Sequence, residues 1–566
     1  MKSIDHLSVT RLIAVTGGVC SSLGKGMLAS ALGVLLKSAG YRVTIIKLDP
    51  YLNVDPGTMS PLVHGEVFVT ADGAETDLDL GHYERTLGIQ LTRSASVSSG
   101  QIFKAILDKE RTGAFLGGCI QMVPHVIDEI CKRIMTVSSE SNVDIILIEV
   151  GGTVGDIEGG HFLEAIRQLK IALKEKVLHC HLSLVPFLQW THEYKTKPTQ
   201  HSVMQLKHAG LIPDMLFLRA DDRIPEHHID KLSLQCGIPR EALFQVLTFS
   251  PMYELFLDVD RQGLTHAVQR ALGFDELRDA DLTPWRNFVT RVHSTHSTIK
   301  IGLIAKYIGA DPYISVIESI AIAGYSLNAS VQVITIIAEH LEHPESPEGQ
   351  YAWQQLEDVA GIIVPGGFGN RGIEGKIAAA RFARERNISY LGICLGMHMM
   401  LIECARSLLQ CPDANSTEID AETTMPVIHL LEGQHLVAKG GSMRLGTFAC
   451  SLVKGSRAYD AYQKEQIFER HRHRYEFNNE YRAGLEAKGV VFSGINVKQD
   501  LVEIVELVSH PFMLGVQFHP EFQSSPLAPH PLFVAFTRVA LELSTMREQT
   551  IQKPLQYSSV QKESQI

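Results

Sequence analysis

What most limits the folds open to this chain is one pattern, run through in two series: a short apolar stretch, a turn rich in glycine, then a helix-patterned segment. "RLIAVTGG" (11–18) leads into "KGMLASALGVLLKSAG" (25–40), which puts Leu28, Leu32, Leu35 and Leu36 on one helical face and is closed by Gly40. "YRVTIIKLD" (41–49), "VDIILIEV" (143–150), "LHCHLSLVP" (178–186) and "DMLFLRA" (214–220) read as further strands. The alternation lapses in "DELRDADLTPWRNFVTRVHSTHST" (275–298), which is charged and lacks a sustained apolar period. It then restarts with "IKIGLIAKY", "VQVITIIA", "VAGIIVPGG" and "SYLGICLG". Such βα alternation implies an α/β protein whose parallel sheets bind ligands at the carboxyl ends of their strands. At 566 residues the chain is too long for one core. The expected organisation is two doubly wound domains with mainly parallel sheets, 1–274 and 299–545, joined by a linker at 275–298 and followed by a polar tail at 546–566.

Composition narrows the function classes. A hydrophobic content of 45% and a charged content of 20% are those of an ordinary soluble protein. The net charge of −11 argues against a general nucleic-acid or membrane-surface binder, so any phosphate must be met by local lysines and backbone N–H groups. No run approaches the ~18 apolar residues of a membrane-spanning helix, and the first apolar run is too short for a signal peptide. Nine cysteines, an odd and scattered set without a CxxC pair, point to a reduced, cytoplasmic protein without a zinc site.

"TGGVCSSLGKG" (16–26) lies between a strand and a helix, where backbone N–H groups and a helix N-terminus can meet a phosphate. Lys25 adds a point charge. The loop departs from a strict GxxxxGK[ST] motif, since Gly26 follows Lys25 and one extra residue separates Gly18 from Gly24; a plain tight turn is the competing reading. The segment 47–85 interleaves Lys47, Asp49, Asp55, Asp72, Glu75, Asp77, Asp79 and Glu84 with glycines and prolines. It reads either as a solvated acidic loop or as a Mg²⁺ site, because Mg²⁺ takes a few carboxylates together with phosphate oxygens and water. "IEVGGTVGDIE" (148–158) adds Glu149 at a strand end, then Asp156 and Glu158; "YKTKPTQHS" (194–202) adds Lys195, Lys197 and Gln200.

In "YLGICLGMHMM" (390–400) glycines flank Cys394 where a strand passes into a helix, the setting of a strained elbow that lifts a nucleophile above a sheet. The following helix favours thiolate. "GVQFHPEFQSS" (515–525) supplies His519 and Glu521; in an extended segment the two point to one side, so Glu521 can orient His519 toward the thiol. "VPGGFGN" (364–370) offers Gly366 and Gly367 as oxyanion donors. Singly these are a core thiol, a core histidine and a turn; together, each at a strand end, they read as a thiol nucleophile with its base and the group that orients it.

With these motifs on the page, the chain closely resembles the CTP synthase family over roughly residues 10–545, through "GGVCSSLGKG", "DPGTMSP", "DGAETDLDLGHYER", "GGTVGDIE", "KTKPTQHSV", "PGGFGNRG", "GICLGM", "RHRYE" and "HPEF". The family joins an N-terminal P-loop-type synthetase to a C-terminal class I glutamine amidotransferase. The resemblance implies ATP on Ser22, Leu23, Gly24, Lys25, Gly26, Lys47, Asp79 and Arg219, with Mg²⁺ on Asp79 and Glu149. It implies UTP, or CTP as feedback inhibitor, on Ser21, Asp156, Ile157, Glu158, Lys195, Thr196, Lys197, Gln200 and Lys231. It places His64 at the gate of an ammonia passage and Arg371 in the response to GTP, the allosteric activator. Cys394, His519 and Glu521 become the triad, Gly367 and Leu395 the oxyanion positions, and Gly366, Phe368, Gly396, Met397, His398, Glu418 and Arg474 the rest of the glutamine site.

The implied chemistry is ATP-dependent amination of UTP at C4, through 4-phosphoryl-UTP, by ammonia released from glutamine through a cysteinyl thioester. The implied assembly is a homotetramer. His398 stands where the family usually has glutamine, in "CLGMQ", and is expected to alter glutamine affinity or thioester turnover, or to be a tolerated neighbour. Two alternatives stay open: a P-loop amidoligase acting on a non-nucleotide substrate, and a nucleotide-sensing or filament-forming scaffold with an inactive glutaminase.

Overall fold

The computed structural model describes residues 10–295, 297–309, 311–430 and 443–552. Of the expected polar tail, 553–566 lies outside the described residues.

The first half is built on a seven-stranded sheet: β1 (Arg11–Gly17), β2 (Val43–Asp49), β3 (Ser96–Ser98), β4 (Ile145–Val150), β5 (Val177–Leu184), β6 (Met215–Ala220) and β7 (Leu243–Leu247). The order is β7-β6-β5-β1-β4-β2-β3 and every neighbouring pair is parallel. Its strands are buried along almost their whole length, as a sheet covered on both faces requires. Register aligns the working ends: Val15 and Lys47 both pair with Glu149. Helix α1 (Lys25–Ser38) follows β1, and α2 (Leu78–Leu87) closes the acidic segment, capped by the Asp77 side chain on Asp79 N–H and ended by Gly88 in the left-handed region.

The stretch expected to be a plain connection carries helix α3 (Thr283–His293). Trp285, Phe288 and Val289 recur at three- and four-residue spacing and pack into the core of the first half against Tyr253 and Phe256. Three apolar residues in one short helix are too few to stand out from the charged residues around them.

The second half has a nine-stranded sheet: β8 (Ser297–Ala305), β9 (Ala329–Ile337), β10 (Gly361–Val364), β11 (Ser389–Ile393), β12 (Arg444–Leu452), β13 (Gln466–His473), β14 (Val490–Asn496), β15 (Leu501–Leu507) and β16 (Met513–Val516). Its order is β9-β8-β10-β11-β16-β15-β14-β12-β13. The expectation of a mainly parallel sheet holds for the first five strands only. From β16 to β13 the pairs are antiparallel; short loops join β14 to β15 and β15 to β16 as hairpins, whereas β12 reaches β13 through the helix Arg457–Tyr462. Helix α4 (Ile314–Ser326) follows β8, α5 (Leu395–Leu408) follows β11, and α6 (Pro531–Gln552) extends seven residues into the expected tail.

The halves meet through buried charge. Arg470 Nη2 lies 2.7 Å from Glu84 Oε2 and Arg472 Nη2 2.8 Å from Glu75 Oε1. Thr447 N–H donates to the Ala71 carbonyl at 3.0 Å, Glu66 N–H to the Asp311 carbonyl at 3.0 Å, and the Phe68 and Phe522 rings meet edge to face at 4.9 Å.

Candidate active sites

β11 and β16 are parallel neighbours, Ile393 pairing with Val516, so the residues just beyond each strand are brought together across more than a hundred residues of chain. Cys394 takes φ 52°, ψ −105°, a conformation that costs a non-glycine residue on the order of 1–3 kcal/mol. Its backbone N–H donates to the Val516 carbonyl at 2.7 Å, which pins the elbow to the sheet. Gly396 explains the second glycine of the motif: a Cβ there would stand 1.9 Å from the Val364 carbonyl oxygen, so only glycine lets α5 approach β10 this closely. Gly366 sits against both reactive groups, its Cβ position being 3.0 Å from His519 Cε1 and 3.7 Å from Cys394 Cβ.

His519 Nδ1 lies 2.7 Å from Glu521 Oε1, and both side chains are buried. The route differs from the expected extended segment. Pro520 starts a short 3₁₀ turn, Pro520–Gln523, and the Glu521 carboxylate curls back onto the ring. Burial opposes a charge on His519, but the Glu521 carboxylate and the Cys394 sulfur outweigh it and raise the imidazole to about 10. The arrangement therefore holds an imidazolium beside the thiol, as thiolate chemistry needs.

Around it, Leu395, Gly396 and Met397 open α5, and Gly366, Gly367 and Phe368 follow β10. Gly369 N–H donates to Glu418 Oε1 at 3.2 Å. Burial raises the Glu418 carboxyl, while Lys306 and Arg474 act against that rise. Gly367, Phe368, Cys394, Leu395, His398, Glu418, Arg474 and Tyr475 border one small cavity beside the thiol. Arg371 is turned away from it, donating to Glu339 Oε1 at 2.8 Å and to the Lys306 carbonyl at 2.6 Å.

A larger cavity of about 450 Å³ links this site to the first half. Cys394, His519 and Glu521 border it, and so do Gly57, Met59, Pro61, Glu66 and Val67. At the end of the short helix Pro61–His64, His64 Nε2 is 3.1 Å from Asp77 Oδ2, with Tyr51 edge-on to the ring at 5.3 Å. The hydrogen bond to Asp77 raises the His64 imidazole, against the effect of burial.

In the first half the loop after β1 runs over the sheet's carboxyl edge. Ser21 and Ser22 are exposed, Leu23 is buried, and Gly24 at φ 100° turns the chain into α1. Lys25 Nζ donates to the Gly152 carbonyl at 2.8 Å. The buried Lys47 ammonium contacts Asp79, with Asp49 Oδ1 at 3.4 Å and Glu149 Oε1 at 3.7 Å; Tyr83 donates to Glu149. Burial lifts the Asp49 carboxyl to about 7 despite Lys47. Asp79 and Glu149 face each other across Gly26, each within 3.4 Å of its Cβ position. Two carboxylates beside a phosphate loop are the donor set Mg²⁺ takes when phosphate oxygens and water complete its shell. Among the described residues no three His, Cys, Asp or Glu side chains converge as a metal site made by protein alone.

Lys195 pairs with Glu193, Thr196 immediately precedes the helix Lys197–His208, and Gln200 Nε2 donates to Thr196 Oγ1 at 3.2 Å. Lys231, Asp156, Ile157 and Glu158 are exposed, with Thr153 N–H donating to Asp156. Arg219 ends β6, donating to the Leu247 carbonyl and Thr248 Oγ1, both at 3.0 Å.

Several residues of the sites had no mark in the sequence. Lys306, at the end of β8, donates to the Phe368 and Gly369 carbonyls, and burial lowers it to about 8. Lys376 is wholly buried beside Cys394 with Nζ on the Pro365 carbonyl at 2.8 Å. His181 bridges Thr16 Oγ1 at 2.9 Å and Ser202 Oγ at 2.7 Å, tying the base of the phosphate loop to the helix of "KTKPTQHS". A lysine directly after an apolar strand was the one available signal for Lys306; the buried histidine pair of "LHCHLSLVP" was the one for His181.

Fold and sites together define a phosphate-loop synthetase joined to a cysteine-dependent glutamine amidotransferase. Comparison with known proteins agrees for each half: residues 11–274 match the model of the CTP synthase N-terminus, and 309–539 that of class I glutamine amidotransferases. CTP synthases of Pelotomaculum thermopropionicum (48% identical over 95% of this chain and 100% of theirs) and Thermomicrobium roseum (49% identical over 95% and 97%) are among its relatives. A solved glutaminase domain of Trypanosoma brucei CTPS with bound acivicin is 36% identical over 43% of this chain and 94% of its own, with a TM-score of 0.40. The chain belongs to the CTP synthase family, glutamine-hydrolysing ligases that use ATP to aminate a pyrimidine nucleotide. Among the described residues no helix is long and apolar enough to cross a membrane.

Proposed function

We propose that the enzyme aminates UTP at C4 by the division of labour laid out above, with ammonia made in one half and consumed in the other. Cys394 attacks the glutamine carboxamide. The tetrahedral oxyanion is met by the N–H groups of Gly367 and Leu395. His519, held by Glu521, gives its proton to the departing nitrogen, so that NH₃ rather than an amide anion leaves. Water then releases glutamate from the thioester. Glu418 and Arg474 grip the amino-acid end.

In the other half the loop 21–26, Lys25 and Lys47 cradle ATP, Arg219 lies at the adenine side, and Lys195, Gln200 and Lys231 hold UTP. Mg²⁺ on Asp79 and Glu149 would supply charge neutralisation for phosphoryl transfer to the C4 oxygen, turning a poor leaving group into a good one. Ammonia displaces phosphate there. Asp156, Ile157 and Glu158 border the region where CTP inhibits, and Arg371 takes part in the response to GTP. The exposure of the UTP lysines on a single chain suits a homotetramer with nucleotide sites between subunits.

One observation carries this reading: the cavity of about 450 Å³ is bordered at once by the thiol with its His519–Glu521 pair and by residues 57–67 of the synthetase half. It supports a passage for ammonia between the halves, away from protonation in bulk water. The full-length match to CTP synthases favours UTP over a non-nucleotide acid. Cys394→Ala tests the scheme: glutamine-driven CTP formation is lost while ammonia-driven formation persists. Loss of both, or survival of the glutamine-driven reaction, would overturn it.

A further inference from the structure

His398 lies one helical turn into α5 from the elbow and is 3% exposed. Its Nε2 is 2.8 Å from Gln517 Oε1. Gln517 is fully buried just beyond β16, and its Nε2 lies 3.9 Å from Cys394 Sγ, at the long end of N–H···S hydrogen bonding. The chemistry of the three groups orders them. An amide oxygen only accepts, so the imidazole proton sits on Nε2, and the amide N–H₂ then points to the sulfur. His398 Nδ1, also buried, has no hydrogen-bond partner among the described residues. Burial lowers this imidazole to about 4, against the Gln517 hydrogen bond, so the ring is neutral and has one proton to commit.

We propose that His398 is a positioning residue: donating from Nε2 to Gln517 Oε1, it locks the Gln517 amide with an N–H group aimed at the Cys394 sulfur. The proposal rests on Cys394 being the nucleophile and deepens that reading. A thiolate has three lone pairs, and His519 can answer one of them. The Gln517 N–H answers a second from another side, and it does so for the anion better than for the thiol. The remaining groups around the sulfur are Glu521, behind His519; Lys376, from the helix Ile373–Arg386, committed to the Pro365 carbonyl; and β13, whose Arg472 carbonyl is 3.8 Å from Sγ and whose His473 borders the same small cavity. His473 is neutral through burial.

The test is the pH dependence of iodoacetamide inactivation of glutamine hydrolysis in the full-length enzyme, which reads the thiolate fraction directly. His398→Leu is expected to raise the inactivation midpoint by about one pH unit, a tenfold loss of thiolate below the midpoint. Gln517→Leu should shift it equally, the double substitution no further than either, and His398→Gln, whose amide N–H can reach the same acceptor, should restore it. Circular dichroism of each variant verifies the fold. A midpoint unmoved in His398→Leu, or additive shifts in the double variant, would overturn the role of His398. Glutamine hydrolysis surviving in Cys394→Ser would instead overturn the nucleophile beneath it.

Discussion

Replacing Arg470 by methionine probes how the two halves are held. Its guanidinium, 2% exposed, reaches across to Glu84 Oε2 at 2.7 Å and the Val69 carbonyl at 3.1 Å, and lies 5.3 Å from the Phe68 ring centre. Methionine keeps the bulk and removes the charge. The Glu84 carboxylate, 6% exposed, then keeps the Leu91 N–H at 2.8 Å but loses its counter-ion. Removing one partner of a buried pair costs about 3–5 kcal/mol, whereas replacing both by apolar groups is often neutral. At roughly 2–4 °C per kcal/mol for a domain of this size, a loss of about 3 kcal/mol lowers the unfolding midpoint by some 6–12 °C. Arg470→Met/Glu84→Leu should regain most of that.

The deficit also depends on pH. Burial already raises the Glu84 carboxyl above its usual range, with Arg470 pulling it back; without Arg470 it rises further. A carboxyl raised in the folded state costs stability above its folded pKa, and the cost fades as pH falls through that value. The single variant is therefore weaker relative to the parent at about pH 8 than at about pH 5. Calorimetry at both pH values, beside the ratio of glutamine-driven to ammonia-driven CTP formation, reads the effect. Equal deficits at the two pH values, or no recovery in the double variant, would refute the assignment of Arg470–Glu84 as the buried tie.

Two further perturbations separate the half-reactions. In Glu521→Gln the burial of His519 loses its main counterweight, so the imidazole falls from about 10 and the alkaline limb of glutaminase kcat/KM moves down by about one to two pH units. The same pair stabilises the fold fully below 6.5, the unfolded imidazole value, and its contribution is lost as pH rises through about 10, which urea unfolding against pH can follow. Lys47→Met strands Asp49, Asp79 and Glu149 without their shared cation, and ammonia-driven CTP formation should fall by about 10²-fold or more while glutamine hydrolysis continues.

Much of the molecule was legible where the signal is local. The apolar runs at 11–17, 43–49, 145–150 and 389–393 became strands because a wholly buried parallel strand must be apolar over its length. Cys394 could be singled out because an elbow at positive φ with close helix packing demands small neighbours. Helix α3 was missed because its three core residues are diluted by charge. The antiparallel half of the second sheet was missed because strand direction depends on which segments pair. Nothing local in "ERHRHRYE" shows what Arg470 and Arg472 pair with; their partners are Glu84 and Glu75, nearly four hundred residues away in sequence.

By itself the sequence determined the βα alternation of each half, the glycine-bounded phosphate loop and elbow, and the residue types that reaction chemistry requires, since each follows from backbone sterics and burial within a few residues. Only the tertiary structure decided which charges become functional. The pairing of β11 with β16 sets Cys394, Gln517 and His519 side by side. The docking of the halves makes one cavity bordered from both sides. Desolvation then sets the buried Lys47 and Lys306 apart from the lysines left in water. Such effects arise from approach between segments distant in sequence, and no local pattern of residues encodes them.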